Sequence, residues 1–308
     1  MSMKKTVIAL ISLGLFTFMG CTNQPAENNE MNTEEYKQTI EKWRQNRLER
    51  LKSEGGWLNL VGLLWLEEGK NTLGSAAENS IQFPENAPAH VGTIFKKDDN
   101  LTFFAHDEVQ VYTDSTLVDK VALNSDATGE ATMLTHAPFQ WFIIKRGDKY
   151  AIRLRDFTSP LVDLIDSLPA YPTDPQWRIE ATFEPFEEPQ NIEIPNVLGE
   201  TELSPCYGEL VFAIEGNTYR LLPMGNPTRG LFVVFADGTS AEETYGAGRF
   251  LSVPAPDKSG NTIIDFNKAY NPPCAFTEYA TCPLPPAENR LDVRITAGEK
   301  IGEHIGHH

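Results

Sequence analysis

The sequence predicts a mostly β fold opened by one amphipathic helix, and three observations carry that prediction. Past Gly56 the apolar runs are short, rich in Val, Ile, Phe, Tyr and Trp, and broken by Gly, Asn, Asp and Pro, as strands of sandwiches and barrels are. Two of the breaks, Arg146-Gly147-Asp148-Lys149 and Gly216-Asn217, lie between alternating segments and read as hairpin turns. The one sustained helical period precedes Gly56 and places Tyr36, Ile40, Trp43 and Leu51 opposite a charged face. The architecture expected is therefore an N-terminal helix followed by β-sandwich- or barrel-like subdomains, the second carrying a long, ordered, proline-rich loop.

Residues 1–20 stand apart from that core. Lys4 and Lys5 precede an apolar run from Val7 to Met19, which has the layout of a secretory signal peptide and is too short for a comfortable membrane span. Gly20-Cys21 resembles a bacterial lipobox, which implies a lipidated Cys21 as the mature N-terminus. Thr22-Asn23-Gln24 lacks the aspartate associated with inner-membrane retention, so the expected address is the outer membrane of the cell envelope. Residues 21–32 carry almost no apolar surface and read as a flexible tether.

The helix begins at Thr33 and stops at Gly55-Gly56, a glycine pair suited to a C-terminal cap. Trp43 reads as helix packing, and Arg44, Arg47 and Arg50 as a solvated face. Strands are expected over Trp57–Leu66, Asn71–Gly74, Ile81–Phe83, Val91–Phe95, Leu101–Ala105, Val109–Tyr112, Phe139–Lys145 and Tyr150–Arg155. A first subdomain then spans residues 33–168. Pro169, Pro172 and Pro175 mark the seam to a second, residues 169–308. Its expected strands are Trp177–Phe183, Ile192–Ile194, Leu210–Glu215, Thr218–Leu222, Leu231–Phe235, Ile263–Phe266 and Leu291–Ile295. Residues 265–291 contain Pro272, Pro273, Pro283, Pro285 and Pro286, which no helix and no central strand tolerates. The aromatic residues Phe266, Tyr270, Phe276 and Tyr279 in the same stretch need burial, so it reads as an ordered loop.

Leu66-Glu67-Glu68-Gly69-Lys70-Asn71-Thr72-Leu73-Gly74-Ser75, followed by Ile81-Gln82-Phe83-Pro84, resembles the opening of forkhead-associated domains, which implies a sandwich. No arginine stands beside Ser75, so the phosphothreonine grip of those domains is not carried over. A longer resemblance rests on Gly56-Trp57-Leu58, Asp156-Phe157, Tyr171-Pro172-Thr173-Asp174, Tyr245-Gly246-Ala247-Gly248-Arg249-Phe250-Leu251 and Asp265-Phe266-Asn267. It continues through Asn271-Pro272-Pro273-Cys274-Ala275-Phe276, Thr281-Cys282-Pro283-Leu284-Pro285-Pro286 and Glu288-Asn289-Arg290-Leu291. On these motifs the chain is similar to an uncharacterised prokaryotic family of domains of unknown function, many of them envelope lipoproteins. The resemblance implies an address and no activity.

Composition narrows the functions. With 26 Lys and Arg against 43 Asp and Glu, the net charge of −17 is repelled by nucleic acid and by anionic membrane surfaces. Membrane attachment is expected only through the lipid. No nucleophile elbow, zinc-protease helix or phosphate loop is present, and neither a metal nor a cofactor is expected. In an oxidising envelope Cys274 and Cys282 are candidates for a disulfide contributing about 2–3 kcal/mol. Around the loop gather Tyr245, Arg249, Asp265, Asn267, Asn271, Tyr279, Glu288 and Arg290. Such residues either satisfy the loop's own backbone or form a pocket whose polar groups orient a ligand between aromatic walls. The function expected first is binding of a small molecule, glycan or peptide at residues 265–291. The alternatives are a hydrolase using Asp265 and Glu288 as paired carboxylates, and a structural or assembly lipoprotein.

Overall fold

The structure, a computed structural model, describes residues 32–306. Cys21, the leader, the tether as far as Met31, and His307 and His308 of the C-terminal tail lie outside the described residues. Helix α1 runs Thr33–Lys52 and buries Tyr36, Ile40 and Leu51 along one face. It is followed by a turn that only glycine allows, because a Cβ on Gly56 would stand 2.1 Å from the Leu51 carbonyl oxygen.

The chain is mostly β, as the alternation predicts. In the first half come β1 (Leu60–Trp65), β2 (Gly69–Gly74), β3 (Ile81–Gln82), β4 (Gly92–Lys97), β5 (Asn100–Ala105), β6 (Tyr112–Thr113), β7 (Thr116–Leu117), β8 (Lys120–Leu123), β9 (Leu134–His136), β10 (Phe139–Arg146) and β11 (Lys149–Asp156). They form one sheet in the order β1-β11-β10-β9-β6-β7 and another in the order β3-β2-β4-β5-β8. Both sheets contribute to a single core, in which Leu73, Ile94 and Phe103 of one join Trp141, Ile152 and Leu154 of the other. The hairpin predicted at 146–149 is present, with Arg146 opposite Lys149.

After a single-turn helix α2 (Leu161–Leu164) the second half continues with β12 (Arg178–Pro195), β13 (Thr201–Ile214), β14 (Asn217–Leu221), β15 (Leu231–Phe235), β16 (Arg249–Val253) and β17 (Asn261–Asp265). Its larger sheet has the order β14-β13-β12-β17, and β15 and β16 form a two-stranded sheet. The two short strands expected at 177–183 and 192–194 are one long strand. Its middle is almost wholly exposed, so it shows no alternation, and its pairing with β13 slips between Pro185 and Gln190. Prolines cannot donate to a ladder, and a register slip accommodates them.

The strand expected at 291–295 does not form. Leu291 N and Val293 O bond to the backbone of Ala236 and Gly238, but from Ile295 on two side chains take the backbone groups instead. The Asp237 carboxylate accepts from Ile295 N at 2.7 Å, while Arg249 donates to the carbonyls of Ile295 and Ala297. Residues 266–290 contribute three single 3-10 turns, at Phe266–Lys268, Pro273–Ala275 and Ala287–Asn289.

The described residues from Thr33 on make one compact unit. A third core cluster joins Leu51 and Leu58 to Val234, Phe250, Phe276 and Cys282, so the end of α1, the β15–β16 hairpin and the proline-rich segment are packed together.

Candidate functional site

Most of the polar residues singled out around 265–291 hold the fold. Arg249 has no exposed surface, pairs with Asp237 Oδ1 at 3.0 Å and lies 5.2 Å above the Phe235 ring. Burial pushes its pKa down and the Asp237 carboxylate opposes that shift. Asp265 accepts from the Tyr36 hydroxyl at 2.7 Å, and Asn267 donates to that hydroxyl at 3.0 Å. The same Asn267 amide also clasps the backbone of Asp174, taking its N–H at 3.0 Å and donating to its carbonyl at 2.8 Å. Burial first, then the hydrogen bond to Asp265, pushes the Tyr36 phenol far up.

Asn271 receives Arg47 on its carbonyl at 2.8 Å and donates its side chain to the Lys300 carbonyl at 2.9 Å. Tyr245 donates to the Cys274 carbonyl at 3.1 Å. Tyr279 is half-buried, and Glu288 and Arg290 are exposed. Glu288 is exposed whereas Asp265 is buried against Tyr36 and Asn267, and among the described residues no hydrogen bond joins the two carboxylates. Nor is the expected disulfide formed. Cys274 and Cys282 are buried thiols, with Cys274 N donating to Cys282 Sγ at 3.1 Å. Their mutual hydrogen bond holds Cys282 protonated and lowers the pKa of Cys274.

The recess that the structure does build lies beside this set. It has a volume of about 820 Å³ and is bordered by one face of α1, the β15–β16 hairpin, and Lys268, Tyr270 and Pro273. From the helix come Trp43, Arg47, Arg50 and Leu51, spaced at i, i+4, i+7 and i+8 and so on one side of the helix. Strand alternation supplies the opposite wall. Val233, Phe235, Leu251 and Val253 face the second core, which turns Phe232, Phe250 and Ser252 to the recess. Phe232 stands directly across from Ser252 in the ladder. Tyr270 is tied to β16 by a pair of backbone bonds with Phe250, of 2.8 and 2.9 Å. Its ring meets Phe250 edge to face at 5.8 Å and Trp43 at 6.3 Å.

The cations of this recess differ in their partners. Arg47 is stacked 4.4 Å over Tyr270 and paired with the buried Glu299 carboxylate at 2.5 Å. Lys268 sits 3.6 Å from Asp265. The guanidiniums of Arg50 and Arg229 have no ion pair or hydrogen bond among the described residues, and no Asp or Glu lines the recess. Trp57 closes one end, with the Arg153 guanidinium 4.9 Å from its ring.

None of the polar residues singled out from the sequence lines this recess, although their neighbours Lys268, Tyr270 and Pro273 do. Sequence reasoning assigned Trp43, Arg47 and Arg50 to packing and solvent. The available signal was an aromatic and two arginines recurring on one helix face in a strongly acidic chain. Arg229 and Lys268 come from irregular segments and carried no pattern.

Residues 165–300 match the model of a family described as protein of unknown function, DUF1684. Among solved structures, the solution NMR structure of the uncharacterized protein from gene locus rrnAC0354 of Haloarcula marismortui is 31% identical. That alignment covers 45% of this chain and 78% of the other, with a TM-score of 0.38. Mycobacterium tuberculosis EmbR in complex with a low affinity phosphopeptide aligns at 12% identity over 38% of this chain and 30% of the other, with a TM-score of 0.21. A search of curated proteins finds no match. The family that residues 165–300 match is itself uncharacterised.

Proposed function

We propose that the protein is a lipid-anchored component of the cell envelope that binds a small molecule in the recess between α1 and the β15–β16 hairpin. One observation carries the binding reading: a recess of about 820 Å³ whose walls are aromatic and whose polar groups converge from three separate parts of the chain. Ligand sites run from roughly 300 to 1,000 Å³ and combine apolar walls with a few placed polar groups. The walls of this one belong to packed elements, so the site is held open without a ligand. The ligand therefore sits against the start of the 265–291 segment, on Lys268, Tyr270 and Pro273, rather than among Arg249, Asn267 and Asn271.

Ser252→Trp tests this reading, because Ser252 is exposed and its replacement fills the recess. Wild-type protein should brighten the fluorophore anilinonaphthalene sulfonate saturably, and the filled variant should not, at unchanged circular dichroism. Equal brightening by both proteins contradicts the site.

The anchor rests on Gly20-Cys21 behind a short apolar leader, and among the described residues no helix is long and apolar enough to cross a membrane. Cys21→Ser should move the protein from the outer-membrane fraction to the soluble fraction. Retention in the membrane would refute lipid anchoring.

A further inference from the structure

We infer that the recess selects an anion: its ligand carries a carboxylate, phosphate or sulfonate head on an apolar body, the head held between Arg50 and Arg229. This rests on the binding reading above and adds the chemistry of the ligand. The first support is the distribution of charge. The chain has a net charge of −17, yet the lining of this recess contains arginines and a lysine and no carboxylate. A concave patch of one sign in a low-dielectric wall focuses the field and concentrates its counter-ion.

The second support is that the cations are not equivalent. Glu299 and Asp265 neutralise Arg47 and Lys268, which fixes these two as parts of the wall. Arg50 and Arg229 line the recess from different elements, one on the helix and one on the turn before β15. Neither has a partner among the described residues. A guanidinium is a planar fork of donors matched to carboxylate and phosphate oxygens. Carboxylates of this chain pair with many of its other cations, including Arg146, Arg220 and Arg294.

The third support is the wall itself. Trp43, Trp57, Phe232 and Phe250 offer apolar surface, and the side-chain acceptors among the lining residues are two hydroxyls, those of Ser252 and Tyr270. A neutral sugar, rich in hydroxyl donors, would leave most of those donors unpaired there, which costs affinity. An anionic amphiphile satisfies donors and wall together.

A matched pair of fluorophores separates the head from the body. Anilinonaphthalene sulfonate and phenylnaphthylamine share the same rings, and only the first is charged. The sulfonate should bind about tenfold more tightly or better. The gap should narrow with added salt, and in Arg50→Gln and Arg229→Gln. Competition should follow the same rule, with laurate and dodecyl phosphate displacing the probe and dodecanol failing to. Neither guanidinium has a partner among the described residues, so these variants should keep the wild-type thermal midpoint, measured alongside. If both fluorophores bind equally and Ser252→Trp blocks both, the recess is a ligand site and anion selection is overturned. If Ser252→Trp blocks neither, or neither binds, the binding reading itself falls.

Discussion

Tyr36 and Asp265 show what the polar residues beside the recess do. The phenol donates to the carboxylate at 2.7 Å and accepts from Asn267 at 3.0 Å, which pins α1 to the end of β17. Such a bond requires a protonated phenol, and burial with the adjacent carboxylate holds the proton well above its ordinary range. An unfolded tyrosine ionises near pH 10. Below that pH the contribution is complete. As pH rises past it, the unfolded chain gives up the proton while folded Tyr36 keeps it, so stability falls. The urea midpoint should therefore drop between about pH 9 and 11, and Tyr36→Phe should lose less over that interval while being less stable near neutrality. Equal slopes in the two proteins would show that Tyr36 does not titrate with unfolding. Other tyrosines pushed up by burial, Tyr245 and Tyr270 among them, leave a residual slope in the variant. At this scale the sequence was half legible. Arg249, Asp265, Asn267 and Asn271 are conspicuous as polar residues among aromatics, but composition does not say whether a polar group faces a ligand or a carbonyl. Here the carbonyls of Ile295, Ala297, Asp174 and Lys300 take Arg249, Asn267 and Asn271, and the Tyr36 hydroxyl takes Asp265.

Helix α1 serves two surfaces at once. Tyr36, Ile40 and Leu51 are buried, while the adjoining stripe of Trp43, Arg47 and Arg50 forms a wall of the recess. Arg47 belongs to both, since it stacks on Tyr270 and pairs with Glu299, whose other oxygen accepts Asn271 N at 2.7 Å. Arg47→Ala would leave a buried carboxylate without its cation and should cost about 3 kcal/mol or more. Arg50→Gln, on the next turn, should stay within about 0.5 kcal/mol. Chemical denaturation of the two variants compares them directly, and equal losses would contradict the division of roles. The helix, the two hairpins and most strands could be read from periodicity, because each buries one side. The long β12 could not, because its middle is exposed on both faces. The missing strand at 291–295 could not either, since the backbone of Ile295 is claimed by Asp237 and Arg249 from far away in sequence.

For the whole molecule the dominant quantity is charge. Excess acid keeps the surface solvated and repels polyanions, and against that background stands a recess lined by no carboxylate, with two arginines unpartnered among the described residues. Its position follows from the assembly of the third core cluster, where α1, the β15–β16 hairpin and the proline-rich segment meet. Net charge is legible in any sequence. The place where the minority sign gathers is not, because Arg50, Arg229 and Lys268 meet only after folding. The chain has 5 tryptophans, and only Trp43 and Trp57 line the recess, so their indole N–H signals report on it separately from Trp65, Trp141 and Trp177. Titration of isotope-labelled protein with dodecyl phosphate, followed by NMR, is the most direct measurement. The Trp43 and Trp57 signals should shift together and saturate while the other indoles stay in place. Shifts confined to the other indoles, or no saturable shift at all, would contradict a ligand site in this recess.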